Sequence, residues 1–186
     1  MLSEASQRLA DDHSALDEVL SQLRKALDTG DLLLSHARLD LFWARLAVHI
    51  RAEHLHLFPA VMNGVSCASA EQTFSLTLSE AQTSVERLRT DHDFFMHGLA
   101  QAIGILRDLL QATDRQAVDD GIITVRDAVL EIEKRLIIHN ELEENQIYRW
   151  ATTILDEQGQ ADLATKINAE LANRPPRFSR DTWSNR

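Results

Sequence analysis

Four long segments of this sequence carry apolar residues at alternating steps of three and four, which is the spacing of one face of an α-helix. Only 6 glycines and 3 prolines interrupt the 186 residues, so the elements must be few and long. The segments span about residues 3–29, 31–62, 79–111 and 114–158, and a shorter one spans about 161–173. Because most connections are short, successive helices should run antiparallel. The pattern predicts an all-α protein, an antiparallel up-down-up-down four-helix bundle (1–158) with a short C-terminal helix and tail (159–186).

Residues typical of helix ends mark where these segments begin and end. Ser3 and Asp114 are predicted N-caps, and Gly30 is a predicted C-cap. Residues 65–78 are rich in serine and threonine, and both a loop and a frayed helix start fit this stretch.

Charge and composition narrow the classes of partner. The net charge of −10 gives an acidic surface that repels phosphate backbones, so we expect no nucleic acid partner. No apolar run is long enough to cross a bilayer, and the first residues do not resemble a signal peptide. The single cysteine, Cys67, cannot form an internal disulfide. We therefore expect a cytoplasmic protein with no membrane partner, in an oligomeric state that the sequence leaves open.

Seven histidines and glutamates stand on the apolar rows of the four helices, where a core residue is expected. They are His13, His49, Glu53, His56, His92, His139 and Glu143. Burying an unpaired carboxylate or imidazole costs free energy, and these rows contain no lysine or arginine that could balance the glutamates. A metal ion would supply the missing positive charge.

The motif His-x-x-x-Glu occurs twice on these rows, at His49–Glu53 and at His139–Glu143. Residues four apart are neighbours on one face of a helix, so each motif can offer an imidazole and a carboxylate to the same metal pair. Carboxylates can bridge two ions, whereas a neutral imidazole binds one. This set of ligands suits iron, and also zinc or manganese, but neither calcium nor copper(I).

The four remaining histidines are not among the six predicted ligands. His56 lies one turn past Glu53 and is compatible with a seventh ligand, a partner of a ligand or a core residue. Three others fall off the apolar rows and are expected in solvent: His36, His54 and His97.

Other side chains near the motifs have weaker predicted roles. Asp17 is four residues after His13 and could orient its ring. Tyr148 and Trp150 could line the site, although core packing is the favoured interpretation. No residue of the sequence is assigned a catalytic role.

The six predicted ligands resemble the pattern of the hemerythrin-like, or HHE cation-binding, family over about residues 5–155. The matching stretches are DDH ending at His13, HIRAEHLHLFP from His49, DHDFF around His92 and HNELEENQIYRW from His139. The resemblance implies two non-haem iron ions bridged by carboxylates. The terminal ligands would be His13, His49, His92 and His139, and the bridges would be Glu53 and Glu143.

Two positions depart from the oxygen-carrying hemerythrins. Met96 stands where they have a second histidine on the third helix, and Glu144 stands where they have an aspartate. The set looks closer to bacterial proteins linked to nitrosative stress and to repair of iron centres.

Four classes of function are compatible with these features. The leading one is a binder or sensor of a small ligand, either a diatomic molecule (dioxygen or nitric oxide) or peroxide, at an open position of a reducing metal pair. A di-iron enzyme of the peroxidase or oxidase kind is the second. A ferritin-like oxidase would need Glu-x-x-His on two helices, and here only Glu53–His56 fits. An iron donor in the repair of damaged iron centres and a metal-free interaction domain complete the set.

Overall fold

The computed structural model describes residues 2–67 and 76–178, and within them the chain is helical, with no strand. The α-helices are α1 (Glu4–Thr29), α2 (Leu32–Ala52), α3 (Phe58–Cys67), α4 (Leu78–Leu109), α5 (Arg115–Leu142), α6 (Tyr148–Ile154) and α7 (Glu157–Ala172). Two π-helical turns join consecutive helices: the first π turn (Glu53–Leu57) joins α2 to α3, and the second π turn (Glu143–Ile147) joins α5 to α6. A short 3₁₀ turn, Pro176–Phe178, follows α7.

The four bundle helices are α1, α2 with α3, α4, and α5 with α6. The neighbouring pairs α1–α2 and α4–α5 make the most extensive contacts, and α2 also packs against α4 and α1 against α5. The predicted antiparallel bundle with a short C-terminal helix is therefore confirmed. None of the helices in the described part of the chain has the length and apolar character needed to cross a bilayer.

Side chains at the predicted positions cap the bundle helices. Ser3 accepts a hydrogen bond from the backbone N–H of Ser6 at 3.3 Å, and Asp114 accepts one from Gln116 at 3.0 Å. Gly30 ends α1 with a φ of 70°, in the left-handed region that glycine adopts without steric cost. These local contacts fix where the first and last bundle helices begin.

Two helix boundaries differ from the sequence prediction. The second bundle helix continues to Cys67 and does not end near residue 62, because Gly64 lets α3 pack closely against Ile154 of α6. The fourth bundle helix ends at Ile154, where Leu155 is extended, and Asp156 then caps α7. Of the uncertain stretch 65–78, residues 68–75 lie outside the described part of the chain.

Two hydrophobic clusters fill the bundle and leave a polar layer between them. The first cluster contains Leu20, Phe42, Leu99 and Val129 and lies towards the short turns after α1 and α4. The second cluster contains Leu9, Phe58, Leu88 and Ile147 and lies towards the other end. On every bundle helix the predicted ligands lie between residues of these two clusters, so apolar packing on both sides positions the polar layer.

The C-terminal helix α7 packs along α1 and α2. Its apolar residues, including Leu163, Ile167 and Leu171, join the second cluster. On its polar side Glu170 forms an ion pair with Arg51 and lies 3.8 Å from Nε2 of His56. The helix therefore covers the part of the second bundle helix that contains the first π turn, while the predicted division of the chain at residue 158 stays a prediction.

Candidate metal centre

The six predicted ligands come together in the polar layer, and none of them is more than 4% exposed. They form two groups that share both glutamates, and the candidate ligand atoms of each group lie within 4.8 Å of one another. We call His13 and His49 with the two glutamates the first half-site, and His92 and His139 with the same glutamates the second half-site.

In the first half-site the imidazole nitrogens and carboxylate oxygens converge on one point. Nε2 of His13 lies 3.1 Å from Nε2 of His49 and 3.3 Å from Oε2 of Glu143. Nε2 of His49 lies 3.5 Å from Oε1 of Glu53. Two imidazoles and one oxygen of each glutamate thus enclose the space.

The second half-site repeats this arrangement with the other oxygen of each glutamate. Nε2 of His92 lies 3.0 Å from Nε2 of His139 and 3.4 Å from Oε2 of Glu53. Nε2 of His139 lies 3.1 Å from Oε1 of Glu143. Each glutamate therefore offers one oxygen to each half-site, which is the geometry of a bridging carboxylate.

Both glutamates begin a π turn. The backbone N–H of Phe58 bonds to the carbonyl of Glu53, and that of Tyr148 bonds to the carbonyl of Glu143, which are i→i−5 bonds. A π turn adds one residue to a helix and often occurs at a functional site. Every side chain after the glutamate is consequently displaced by one position from the row expected for a regular α-helix.

This displacement removes His56 from the predicted apolar row. Leu57 takes the buried position in its place, with 0% exposure, and His56 lies beside Glu170 of α7. Of the three roles left open for His56, neither a ligand nor a core residue fits this position. On the fourth bundle helix the same shift buries Ala151, while Trp150 is partly exposed at a surface groove with Ser84 and Gln146.

Two aspartates hold the histidines of the His-x-x-x-Glu motifs. Oδ2 of Asp12 lies 3.1 Å from Nδ1 of His49, and its Oδ1 accepts a hydrogen bond from Arg45 at 2.9 Å. In the second half-site Asp91 does the same for His139, with Oδ2 3.3 Å from Nδ1, and binds Arg135. Partners of this kind fix the ring and leave Nε2 free for a metal.

Different partners hold the two remaining histidines. Nδ1 of His13 lies 2.9 Å from Oε1 of Glu144, so Glu144 takes the orienting role for which Asp17 was considered. Nδ1 of His92 lies 2.9 Å from Nε2 of His54. His54 is half-buried, and its expected position in solvent is wrong. His97 is exposed as predicted, whereas His36 is partly buried away from the site.

These contacts repeat at equal spacing in the two halves of the bundle. An aspartate precedes the histidine of α1 and that of α4, and an arginine lies four residues before each His-x-x-x-Glu motif. The partner of the remaining histidine directly follows each bridging glutamate. The repeated spacing Arg-x-x-x-His-x-x-x-Glu was the sequence signal from which Asp12 and Asp91 could have been found.

Tyr148 does more than pack in the core, the role that the sequence favours, because its hydroxyl contacts the candidate ligands. Its ring stacks beside His13, and its hydroxyl lies 3.2 Å from Nε2 of that residue. The hydroxyl donates a hydrogen bond to Oε1 of Glu53 at 3.1 Å and lies 3.5 Å from Oε2 of Glu143. Burial and the two carboxylates raise the pKa of Tyr148 well above 10, so the phenol keeps its proton beside them.

Charge couples the ligands of the first half-site. Burial alone would lower the pKa of His49, but Glu53 and Asp12 raise it to about 10. Burial alone would raise the pKa of Asp12, but His49 and Arg45 lower it to about 2. Burial also opposes ionisation of Glu53, yet the adjacent histidines hold its pKa well below the usual value. Protons on imidazole therefore balance the buried carboxylates when no other cation does.

The same balance holds around Glu143. Burial would lower the pKa values of His13 and His139, but both are raised, chiefly by Glu143. Burial and the charge of Glu53 would raise the pKa of Glu143, but these two histidines lower it. The two buried glutamates of the polar layer are therefore stabilised by positive charge between them.

Comparison with known proteins agrees with this geometry. The family model of the hemerythrin HHE cation binding domain matches residues 4–151, which include all six predicted ligands and exclude α7. No curated protein and no solved structure matches the chain.

Proposed function

We propose, because the chain belongs to the hemerythrin HHE cation-binding family, that it holds two iron ions side by side in the polar layer and presents them to a small ligand. The ligand would be dioxygen, nitric oxide or peroxide. The buried His/Glu groups make it a metal-binding hemerythrin-like protein, and the identity of the ions and of the ligand is the proposed step.

The observation that carries the proposal is that four imidazole nitrogens face one another in pairs. In each pair the Nε2 atoms are 3.0–3.1 Å apart, while Nδ1 of every ring is engaged by a partner outside the layer. An imidazole that donates from Nδ1 to a carboxylate, as the contacts of His13, His49 and His139 allow, has its lone pair on Nε2. In the first half-site two such lone pairs cannot face each other at 3.1 Å unless a proton or a metal ion lies between them.

Two carboxylate oxygens also need a proton or a metal ion beside them. Oε2 of Glu53 and Oε1 of Glu143 are buried, and although Nε2 of His92 and Nε2 of His139 lie 3.4 and 3.1 Å away, no described residue donates a well-directed hydrogen bond to either oxygen. A buried polar atom without a partner costs free energy. Both oxygens belong to the second half-site, where a cation shared with His92 and His139 would satisfy them.

The spacing of the ligand atoms fits a first-row metal ion in each half-site. Two atoms bound at about 2.1 Å and at right angles lie about 3.0 Å apart, and a tetrahedral angle separates them by about 3.4 Å. The facing nitrogens are 3.0 and 3.1 Å apart and the nitrogen–oxygen pairs are 3.1–3.5 Å apart, so iron, manganese and zinc all fit, and iron is the proposed ion because imidazole and carboxylate ligands together suit it. A bound iron pair would supply electrons and an open position for a small ligand.

The surrounding residues orient the ligands and exclude water. Asp12 and Asp91 fix the rings of the two His-x-x-x-Glu histidines, and the arginines behind them form ion pairs with these carboxylates. The two hydrophobic clusters close the layer on both sides. Such burial disfavours the iron-donor alternative, which needs an ion that leaves readily.

Reconstitution with iron(II) without oxygen, followed by elemental analysis, tests the proposal. We expect about two iron ions per chain in the wild type and in the control His97→Ala, whose side chain is exposed and outside the layer. Addition of nitric oxide should then produce the absorption of an iron nitrosyl. Trace iron after reconstitution would contradict the metal proposal, and two irons without any response to nitric oxide, dioxygen or peroxide would contradict the ligand proposal.

Glutamate variants test the bridging role. Glu53→Gln and Glu143→Gln keep side-chain size but remove a charge, so we expect them to abolish magnetic coupling in the oxidised protein. His92→Ala should lose iron mainly from one half-site. Mössbauer spectra distinguish these outcomes, and a fully coupled pair in both glutamate variants would show that the carboxylates do not make the bridge.

A further inference from the structure

The two half-sites differ at the aromatic residue that follows each π turn. Phe58 and Tyr148 both stand five residues after a bridging glutamate, and each ring stacks beside a histidine, Phe58 on His92 and Tyr148 on His13. The two rings occupy corresponding places in the repeated halves. Tyr148 therefore brings one hydroxyl to the first half-site, and the matching place in the second half-site has none.

The position of this hydroxyl is that of a ligand atom. It lies 3.1–3.5 Å from Nε2 of His13, Oε1 of Glu53 and Oε2 of Glu143, which are three of the four candidate ligand atoms of the first half-site. Atoms bound to one ion at about 2.1 Å and at right angles are about 3 Å apart. The oxygen is thus spaced from its neighbours as they are from one another.

The backbone holds Tyr148 in this place. Its carbonyl accepts hydrogen bonds from the hydroxyls of Ser6 at 3.1 Å and of Thr152 at 2.8 Å, which tie it to α1 and to its own helix. Its side chain is fully buried in the second cluster. The phenol is therefore enclosed by the second cluster and by its hydrogen-bonded backbone.

We infer that Tyr148 is a seventh ligand, whose phenol oxygen binds the ion of the first half-site, and that the small ligand binds the ion of the second half-site. The inference rests on the proposed function, since it concerns the same iron pair. When iron(III) binds, the phenol proton is released to solvent, as happens when a metal binds a protonated ligand. The second half-site keeps a vacant position because Phe58 offers no oxygen there.

Phenolate bound to iron(III) absorbs visible light and shows phenolate vibrations in the resonance Raman spectrum. Tyr148 is the sole tyrosine of the sequence, so both signals would have one source. We expect them in the oxidised, iron-loaded wild type, with Raman shifts after growth on ring-deuterated tyrosine. Tyr148→Phe should lose both signals and keep about two irons per chain, and the double variant Tyr148→Phe with Phe58→Tyr should regain them.

Azide, a small anion that binds iron(III), tests the position of the vacancy. We expect azide to add its own absorption to the wild type while the phenolate vibrations remain. Loss of the phenolate signal on addition of azide would overturn the assignment of the small ligand to the second half-site. Two irons without phenolate vibrations that respond to the deuterium label would overturn the role of Tyr148 alone. Failure to load iron would overturn the proposed function and this inference with it.

Discussion

The metal-free protein should lose stability as the pH rises from 7 to 9, and His49 should be the main contributor beside His13 and His139, whose pKa values are also raised. Burial alone would lower the pKa of His49, but the charges and hydrogen bonds of Glu53 and Asp12 outweigh burial and raise it from 6.5 to about 10. A histidine with a higher pKa in the folded state stabilises the fold fully below its unfolded pKa. That contribution is then lost as the pH rises through the folded value, here between about 6.5 and 10.

The magnitude follows from the shift. One pKa unit corresponds to about 1.4 kcal/mol, so the full contribution is on the order of 5 kcal/mol. Linkage leaves about 4 kcal/mol of it at pH 7 and about 1.5 kcal/mol at pH 9. For a chain of this size the loss of about 2.5 kcal/mol lowers Tm by about 5–10 °C.

Thermal unfolding of chelator-treated protein at pH 7, 8 and 9, followed by circular dichroism, measures this change. His49→Gln should reduce the dependence on pH, leaving the part that His13 and His139 contribute, and the exposed-site control His97→Gln should keep it in full. The iron-loaded protein should show no such loss over this range, because the metal replaces the proton, and should instead lose stability on acidification. A level midpoint for the metal-free wild type between pH 7 and 9 would refute the role assigned to His49.

Two further predictions concern single residues. His54→Ala removes the partner of His92, so we expect iron binding at the second half-site to weaken by about 10- to 100-fold. Chelator competition measures this affinity, and the first half-site should be unaffected. Equal weakening of both half-sites would contradict the assignment. Gly64→Ala places a methyl group against Ile154 and should cost about 1–3 kcal/mol of stability in chemical denaturation, whereas the matched variant Gly104→Ala, with open space around the added carbon, should cost nothing.

The bundle and the convergence of the six candidate ligands could be predicted because both depend on helical periodicity. A row of apolar residues defines the buried face of each helix, and a histidine or glutamate on that row must enter the core. The structure brings His13, His92 and the two His-x-x-x-Glu motifs into one layer. Their role as metal ligands stays a prediction, which the iron analysis tests.

The two π turns could not be predicted from that periodicity. Each inserts one residue after a bridging glutamate, and neither turn contains a glycine or a proline; Pro59 follows the first turn, but no proline stands at the matching place after the second. A regular α-helix therefore predicts His56 in the core, whereas the structure buries Leu57. The same displacement brings Tyr148 into the polar layer, so the error in the row and the preference for core packing of Tyr148 have one physical cause.

The partners of the histidines were missed for a different reason. Asp12 and Asp91 stand one residue before a predicted ligand, off the apolar rows, where a charged residue is usually solvated. They are buried because Arg45 and Arg135 pair with them. A paired carboxylate at the edge of a core can be found only by comparing the two halves of the bundle, in which the same spacing recurs.

In the proposed di-iron centre, the two halves of the bundle would give the two ions different surroundings. The repeated arrangement places each bridging glutamate between both half-sites, which favours a pair of ions over one. It is broken at two places: Glu144 supports a histidine of the first half-site where His54 supports one of the second, and Tyr148 stands opposite Phe58. Glu144 brings a carboxylate to the first half-site where His54 brings an imidazole to the second, and Tyr148, once bound to a metal ion, would add a phenolate where Phe58 adds no oxygen. The first ion would consequently be the better stabilised at higher charge, and the second, with fewer protein ligands, would keep the position that a small molecule binds.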